Sequence, residues 1–476
     1  MQRVIPDRSW PLFDVAATRR LEQGGASGLP VHTLMARAGL SVARLALAVA
    51  PHARTVWIAC GPGNNGGDGL EAAMHLQRWG RAPVVTWLGS EAAAPADALI
   101  AWRAAQDAGV CFAQGPPASP DLAIDALLGI GASRPPAGRM AECLAALAAA
   151  PLVLAVDLPS GLDADTGVGS APRAHHTLSL LTLKAGLFTG EGRDRCGTVW
   201  LDELGLTADD APTAWLGGPR PPAARPHASH KGSYGDVAVI GGAAGMAGAA
   251  LLAGSAALHS GAGRVFVGLL DPAATAAAAN PQPDLMLRPW DTLALTGMHV
   301  ACGCGGGEAV RAVLPRVLGT ACSLVLDADA LNAVAADTQL QVLLRARGRR
   351  AAKATVLTPH PLEAARLLAL STGEVQENRL RSATALADRF GCTVLLKGSG
   401  SVIAAPGTTP VINPTGNARL AIAGTGDVLA GMVAARLASG DTAFDAACGA
   451  AYAHGLAADH WPPERPLTAS ALARQH

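Results

Sequence analysis

Short apolar runs that stop at a glycine or a polar loop constrain this chain more than any other feature. In the first half they fall at 55–60 (TVWIAC), 83–88 (PVVTWL), 122–128 (LAIDALL), 151–156 (PLVLAV) and 178–183 (LSLLTL). Each suits a strand covered by protein on both faces. Stretches of helical pattern stand between them, at 70–79 and 141–150. Strands alternating with helices imply a parallel, doubly wound sheet. The second half repeats this grammar without repeating the sequence. Strands are predicted there at 236–240, 264–269, 323–326, 355–357 and 393–396, and helices at 246–260, 361–370, 374–390, 427–439 and 443–459. The fold class is α/β, as two three-layer αβα domains, the first a Rossmann-like doubly wound sheet.

The division falls in GGPRPPAARPHASH, residues 217–230, which is rich in proline and has no periodicity. The expected domains are 1–216 and 229–476, joined by a linker at 217–228. Lys+Arg 37 balances Asp+Glu 37, a formal net charge of 0. A nucleic-acid partner would need a clustered basic excess, so none is expected. The longest apolar stretch, 144–156, contains Pro151 and is too short to cross a bilayer. The first residues, MQRVIPDRSWPLFD, lack the apolar core of a secretory signal. No membrane association is expected, and the cytoplasm is the expected compartment. The nine cysteines are odd in number and never spaced C-x-x-C, so free and mostly buried thiols are expected. Cys302 and Cys304 form a C-x-C pair, a weak metal signal without a histidine at finger spacing.

The 55 glycines have to sit in particular places. Ten residues, CGPGNNGGDG at 60–69, join a predicted strand to a predicted helix. Glycine permits positive φ and close backbone approach to a ligand, and the helix start that follows offers unpaired N–H groups to an anion. Asn64, Asn65 and Asp68 add amide and carboxylate groups at the same mouth. Two further loops follow strands: Asp125 precedes Gly129, Ile130, Gly131, Ala132, Ser133, Arg134 and Pro135, while Asp157 precedes Ser160. Ligands in doubly wound sheets sit beyond the carboxyl ends of the strands, so these loops should converge.

This combination resembles the NAD(P)H-hydrate epimerase domain over most of residues 10–205, with GNNGGDG as its specific part. Lys184-Ala-Gly-Leu187 and Gly197-Thr-Val look like that family's closing segment. The resemblance implies nucleotide binding by Asn64, Asn65, Gly66, Gly67, Asp68, the 129–135 loop and Asp157, with Asp157 also assisting proton movement. It further implies a potassium ion held by Asn65, Asp125 and Ser160. Pro62 departs from the pattern, standing where a basic residue is common.

The second constellation is NPTGNARLAIAGTGDVLAGM at 413–432. Gly424, Thr425 and Gly426 lead into Asp427 at a helix start. Amides there can hold an anion, and the carboxylate beside them can accept a hydroxyl proton as that hydroxyl meets a phosphoryl group. Upstream stand His360 between two prolines, and Lys397 followed by Gly398, Ser399, Gly400 and Ser401. Ile240 opens a glycine-rich corner that runs to Ala249, and Asp327 with Asp329 could hold Mg²⁺.

HKGSYGDVAVIGG, LDADALN, LTPHP, LKGSGSVI and AGTGDVLAGM resemble, in order and spacing, the ADP/ATP-dependent NAD(P)H-hydrate dehydratase of the ribokinase-like fold, over nearly all of 229–460. That likeness implies substrate contacts by Ala249, His360 and Asp427, with Asp427 as base. Lys397, Gly398, Ser399, Gly400, Ser401 and Gly426 would hold the adenine nucleotide. Gly303-Cys-Gly-Gly-Gly307 stands where GPGLG is usual, Leu362 where glycine is usual, and Ala418-Arg-Leu420 where Pro-Gly-Met is usual. Together the two likenesses imply repair of hydrated nicotinamide nucleotides. The R and S forms of NADHX and NADPHX would be epimerised, and the S form dehydrated at the expense of ADP or ATP, with Mg²⁺ and K⁺ as ions. A homo-oligomer is expected. A ribokinase-like vitamin kinase and a non-catalytic N-terminal scaffold are the alternatives. The fused GNNGGDG domain opposes the first, and retention of Asn65, Asp68 and Asp157 opposes the second.

Overall fold

The computed structural model describes residues 1–131, 136–221, 226–271, 273, 282–350 and 352–475. The chain forms two compact units, one of Met1–Ile5 with Trp10–Ala214, the other of Pro6–Ser9 with Trp215–His476.

The first unit is built on an eight-stranded sheet. From edge to edge it runs Gln2–Arg3, Thr198–Asp202, His176–Leu180, Val153–Val156, Leu122–Ala126, Thr55–Cys60, Ala82–Trp87, Cys111–Phe112. All neighbours are parallel except the Gln2–Arg3 edge. Period-two alternation assigns the faces. Val56, Ile58 and Cys60 pack with Leu122, Ile124 and Ala126 against the helices Thr33–Val49, Asn64–Arg78 and Ala96–Asp107. Trp57 and Ala59 face the other way, toward the helix Arg139–Ala149. The fully buried Trp57 ring satisfies its N–H on Thr86 Oγ1 at 3.0 Å. The sequence places these strands within a few residues, but the GNNGGDG segment differs. It is not a loop, because the helix begins at Asn64 with Gly63 as its N-cap. Glycine is a poor helix former, yet packing overrides propensity here. A Cβ on Gly66 would collide with the Gly61 carbonyl, and one on Gly69 with Ala126 and Cys60. These glycines let the helix start lie directly against the strand ends.

In the second unit the order is Met286–Leu287, Arg264–Leu269, Asp236–Gly241, His299–Cys302, Ser323–Leu326, Thr355–Leu357, Thr393–Leu396, Val402–Ala405, Thr408–Ile412. The sheet is parallel as far as Thr393–Leu396, and the last two strands form an antiparallel hairpin. Trp215 and Leu216 add a short parallel pairing to Val411 and Ile412. Helices Ala247–His259, Thr425–Ala438 and Ala443–Asp459 cover one face, and Val310–Thr320, Ala328–Ala336, Thr338–Gly348, Pro361–Leu368 and Arg379–Phe390 the other. Gly431 lets two of these helices cross closely, since a Cβ there would strike the Ala253 carbonyl. The helix predicted at 374–390 is two, Thr372–Glu377 and Arg379–Phe390. The break is Asn378, whose backbone leaves helical geometry while its side chain caps the second helix by accepting from Arg381 N at 2.9 Å.

Candidate active sites

In the N-terminal sheet, the chain builds outward from Thr55–Cys60 to one edge, then returns to Leu122–Ala126 on its other side. Ligands bind at such switch points. A cavity of about 730 Å³ opens there, lined by Pro62, Gly63, Asn64, Asn65 and Asp68 from one strand end and by Leu127, Leu128, Gly129, Ile130 and Gly131 from the next. Asp157 joins them from the strand Val153–Val156. Of the residues named from sequence, Gly66 and Gly67 face packing rather than the cavity; a Cβ on Gly67 would meet Met35. Ala132, Ser133, Arg134 and Pro135 lie outside the described residues.

Asp157 adopts φ 69°, a left-handed conformation that Asp tolerates better than most side chains. That geometry turns its carboxylate onto Lys184 Nζ, with Leu180 N donating to the same oxygen at 3.2 Å. Lys184 is fully buried and also donates to Leu180 O at 2.8 Å. Glu22, from the helix Val15–Ser27, lines the same cavity with Arg19 and Asp97. Burial and the nearby Asp157 charge raise the Glu22 carboxyl above its usual range. Burial also pushes Asp68 up, reinforced by Asp157, Glu22, Glu71 and Asp97. The cavity therefore gathers several acids with the Lys184 ammonium and the Arg19 guanidinium.

Asp125 is wholly buried and its pKa is raised by that burial. Ser160 opposes the effect, donating from Oγ at 2.6 Å and from N at 2.8 Å. Leu128 N in turn donates to Ser160 Oγ at 2.9 Å. No cation among these partners balances the carboxylate, which is an expensive state for a buried anion. Asn65 lies against Gly129, and its buried Nδ2 has no hydrogen-bond partner. Rotating that amide exchanges nitrogen for oxygen. An unbalanced carboxylate, a hydroxyl and an unpartnered amide fit a hard monovalent cation.

The second site follows the same logic. Its switch point lies between Asp236–Gly241 and His299–Cys302. The corners after these strands interlock, with Gly242 N donating to Cys304 O at 2.9 Å and Ala243 N to Gly305 O at 2.7 Å. Ala249 packs against Gly305, beside this junction. Helix Thr425–Ala438 starts at Gly424, φ 91°, leaving the first-turn amides of Thr425, Gly426 and Asp427 outside the intrahelical ladder. Thr425 Oγ1 holds the preceding turn by donating to Leu420 O at 2.8 Å, and buried His454 Nε2 donates to Thr425 O at 3.0 Å. Asp427 is in the first turn, not at the cap.

Three side chains converge there: Cys304 Sγ and carboxylate oxygens of Asp327 and Asp427 lie within 4.8 Å of one another. Burial, then the Asp327 charge, push the Asp427 carboxyl up to about 6; the Cys304 thiol and Lys397 oppose this. Asp327 Oδ1 accepts from Lys397 Nζ at 2.7 Å and from Thr358 Oγ1 at 2.8 Å. Burial works against the Lys397 charge, but Asp327 and Glu363 outweigh it and hold the ammonium above its usual pKa. Lys397 Nζ lies beside the amide corner, at 3.4 Å from where a Cβ on Gly426 would stand. Gly398 lies on the guanidinium of buried Arg379, which donates to Lys397 O at 3.1 Å, and Ser401 Oγ donates to Gly398 O at 3.2 Å. Asp329 does not join Asp327; it accepts from Gly307 N at 2.8 Å. His360 is a helix cap: its Nδ1 accepts from Leu362 N at 3.1 Å and its Nε2 meets Glu363 Oε1 at 3.1 Å. Its ring remains 46% exposed, so capping fixes the imidazole without covering it.

Sequence reasoning did not single out Glu22, Arg19 or the Lys184–Asp157 pair, which meet only through the tertiary fold. Cys304 carried a signal, a thiol in a glycine corner where proline is usual.

Two parallel α/β units, each with its polar cluster at a switch point, define a two-centre nucleotide enzyme. Residues 237–475 match the family described as NAD(P)H-hydrate dehydratase, and residues 31–186 that described as YjeF-related protein N-terminus. The bifunctional NAD(P)H-hydrate repair enzyme Nnr of Escherichia coli (strain K12) is 35% identical over 486 residues, covering 96% of this chain and 90% of that protein. The ADP-dependent (S)-NAD(P)H-hydrate dehydratase of Neisseria meningitidis serogroup B is 42% identical over 256 residues, covering 52% of this chain and 85% of that protein. A solved Bacillus subtilis ADP/ATP-dependent NAD(P)H-hydrate dehydratase, co-crystallised with ATP and Mg²⁺, is 32% identical with a TM-score of 0.46, covering 53% of this chain and 90% of that one. The chain belongs to the bifunctional NAD(P)H-hydrate repair enzyme family. Among the described residues, no helix is long and apolar enough to cross a membrane.

Proposed function

We propose that the N-terminal unit interconverts the R and S epimers of NADHX and NADPHX in its cavity, and that the C-terminal unit dehydrates the S epimer with ADP. The balance is S-NAD(P)HX plus ADP giving NAD(P)H, AMP and phosphate. Hydroxide leaves poorly, so the hydroxyl is first phosphorylated and phosphate then departs.

The observation that carries this reading is Asp427, a carboxylate with its pKa raised to about 6, at the amide-lined start of its helix. Near neutral pH it is ionised and can take the hydroxyl proton as the oxygen attacks phosphorus. The amides of Thr425, Gly426 and Asp427 would stabilise charge on the transferring group. Lys397, fixed by Asp327, would meet the adenine nucleotide's phosphates together with the 398–401 turn. ADP with Mg²⁺ supplies the activated phosphoryl group and neutralises its charge; Asp327 and Asp427 are the carboxylates beside the amide corner that could hold the metal. His360 and Ala249 would border the nicotinamide nucleotide.

In the N-terminal unit, Asn64, Asp68, Gly129, Ile130, Gly131 and Asp157 would bind the hydrated nucleotide. Asp157, oriented by Lys184, would move the proton during epimerisation. Asn65, Asp125 and Ser160 would hold K⁺, which supplies a fixed positive charge. The nine free thiols suit the cytoplasm, and the working form is read as an assembly of identical chains.

The test separates the two centres. Asp427→Asn should lose ADP-dependent repair while R/S exchange continues. Asp157→Asn should repair the S fraction and leave the R fraction to spontaneous exchange. Repair at the wild-type rate in Asp427→Asn would overturn its role as base.

A further inference from the structure

We propose that Cys304, Asp327 and Asp427 form an inhibitory site for a thiophilic divalent cation such as Zn²⁺ or Cd²⁺ in the C-terminal unit. Inhibition rests on the reading of Asp427 as the dehydration base, but metal binding itself does not. The three ligand atoms lie within 4.8 Å of one another, a spread that a bound ion at ordinary metal–ligand distances can close with small side-chain movements.

The donor set selects the ion. One sulfur and two carboxylates suit zinc or cadmium, whereas Mg²⁺ takes oxygen ligands and does not favour thiolate. The sulfur is also held in place. Cys304 is completely buried, its carbonyl is pinned by Gly242 N at 2.9 Å, and Gly303 and Gly305 on either side take φ 119° and 57°. Burial and that hydrogen bond hold the thiol in place. Asp327 keeps both of its hydrogen bonds on Oδ1, to Lys397 and Thr358. Its Oδ2 is the oxygen turned toward Gly426, so an ion could take Oδ2 without removing Lys397. The Cys304 thiol already hydrogen-bonds to the Asp427 carboxylate. Binding replaces that shared proton, which leaves to solvent, with sulfur–metal and oxygen–metal bonds. A cation bonded to both the Cys304 sulfur and an Asp427 oxygen would lower the basicity of that carboxylate and hold it away from the substrate hydroxyl.

The experiment uses the full chain with Cys111→Ser throughout, since Cys111 is the exposed thiol. Cd²⁺ is titrated while the ultraviolet cadmium–thiolate charge-transfer band is followed, with no substrate present. The band should appear with saturation and be lost when Cys304→Ser or Cys304→Ala is added, and Asp327→Asn should weaken it. Cys302→Ser, two residues away and buried, should keep it. In parallel, buffered free Zn²⁺ is titrated against dehydration and epimerisation. Half-inhibition of dehydration should need at least about tenfold more Zn²⁺ in Cys304→Ser, each chain measured against its own uninhibited rate. Epimerisation should not respond. An unchanged band and unchanged zinc sensitivity in both Cys304 variants would overturn the site. A chain that binds Cd²⁺ through Cys304 yet performs no dehydration would instead count against the functional reading.

Discussion

Replacing Asp427 by asparagine should stabilise the C-terminal unit while abolishing dehydration. Burial and the Asp327 charge raise this carboxyl from 3.8 to about 6 in the folded state. Between those values the folded chain holds a proton that the unfolded chain has released, so stability falls as pH rises through the window. About two pH units at 1.36 kcal/mol each make a disadvantage of about 3 kcal/mol for the native carboxylate at neutral pH. Solvent at its open side screens part of that, leaving about 1–2 kcal/mol. Asparagine carries no charge and keeps an oxygen for the Cys304 thiol. In a unit of this size the gain corresponds to a Tm increase of roughly 2–8 °C. Scanning calorimetry on both proteins, following the transition of the C-terminal unit from neutral pH to pH about 4, measures it. The difference should shrink as pH falls through about 6 and close near 3.8, the ordinary carboxylate value. A variant no more stable than wild type at neutral pH, with a gap that does not vary with pH, would refute the account of the raised pKa.

The same carboxylate gives dehydration a rising pH limb near about 6 in kcat/KM; a limb at ordinary carboxylate values would mean a different base. Lys184→Met leaves the buried Asp157 carboxylate without its partner and should cost about 3–5 kcal/mol in the N-terminal transition. It should also remove epimerisation and leave repair of the S epimer; a stability change under 1 kcal/mol would mean that solvent reaches the pair, by the usual value of an exposed ion pair. Gly66→Ala drives a methyl into the Gly61 carbonyl and should destabilise the N-terminal unit by about 1–3 kcal/mol, read by thermal unfolding; unchanged unfolding would show that the helix start is not packed on the strand end.

Most of the sheet was legible because buried parallel strands are continuous apolar runs. The segment TVWIAC is the strand Thr55–Cys60 to the residue, and 264–269, 323–326, 355–357 and 393–396 hold likewise. His299–Cys302 was not seen, being only four residues of mixed polarity. The hairpin Val402–Ala405 with Thr408–Ile412 left a readable mark in Pro406 and Gly407, the latter at φ 68°. The helical start of GNNGGDG was hidden because its glycines serve close packing, which composition cannot distinguish from a flexible loop. Candidate site residues at strand ends could be named from sequence because topology dictates that ligands gather there. Glu22, Lys184 and the Cys304 thiol were missed as site groups, since each acquires meaning from a side chain distant in sequence: Asp157 for the first two and Asp427 for the third. His360 shows the converse. Its position before Pro361 already signalled a helix cap, and both ring nitrogens are engaged at that helix start.

The central claim is that one chain carries both halves of the repair. Incubating it with mixed R and S NADHX, ADP and Mg²⁺, and following the absorbance of regenerated NADH, tests this most directly. The account expects complete conversion, with the R fraction consumed much faster than it epimerises spontaneously and one AMP formed per NADH. Conversion that stops at the S fraction would contradict the epimerase assignment, and no conversion with either ADP or ATP would contradict the dehydratase.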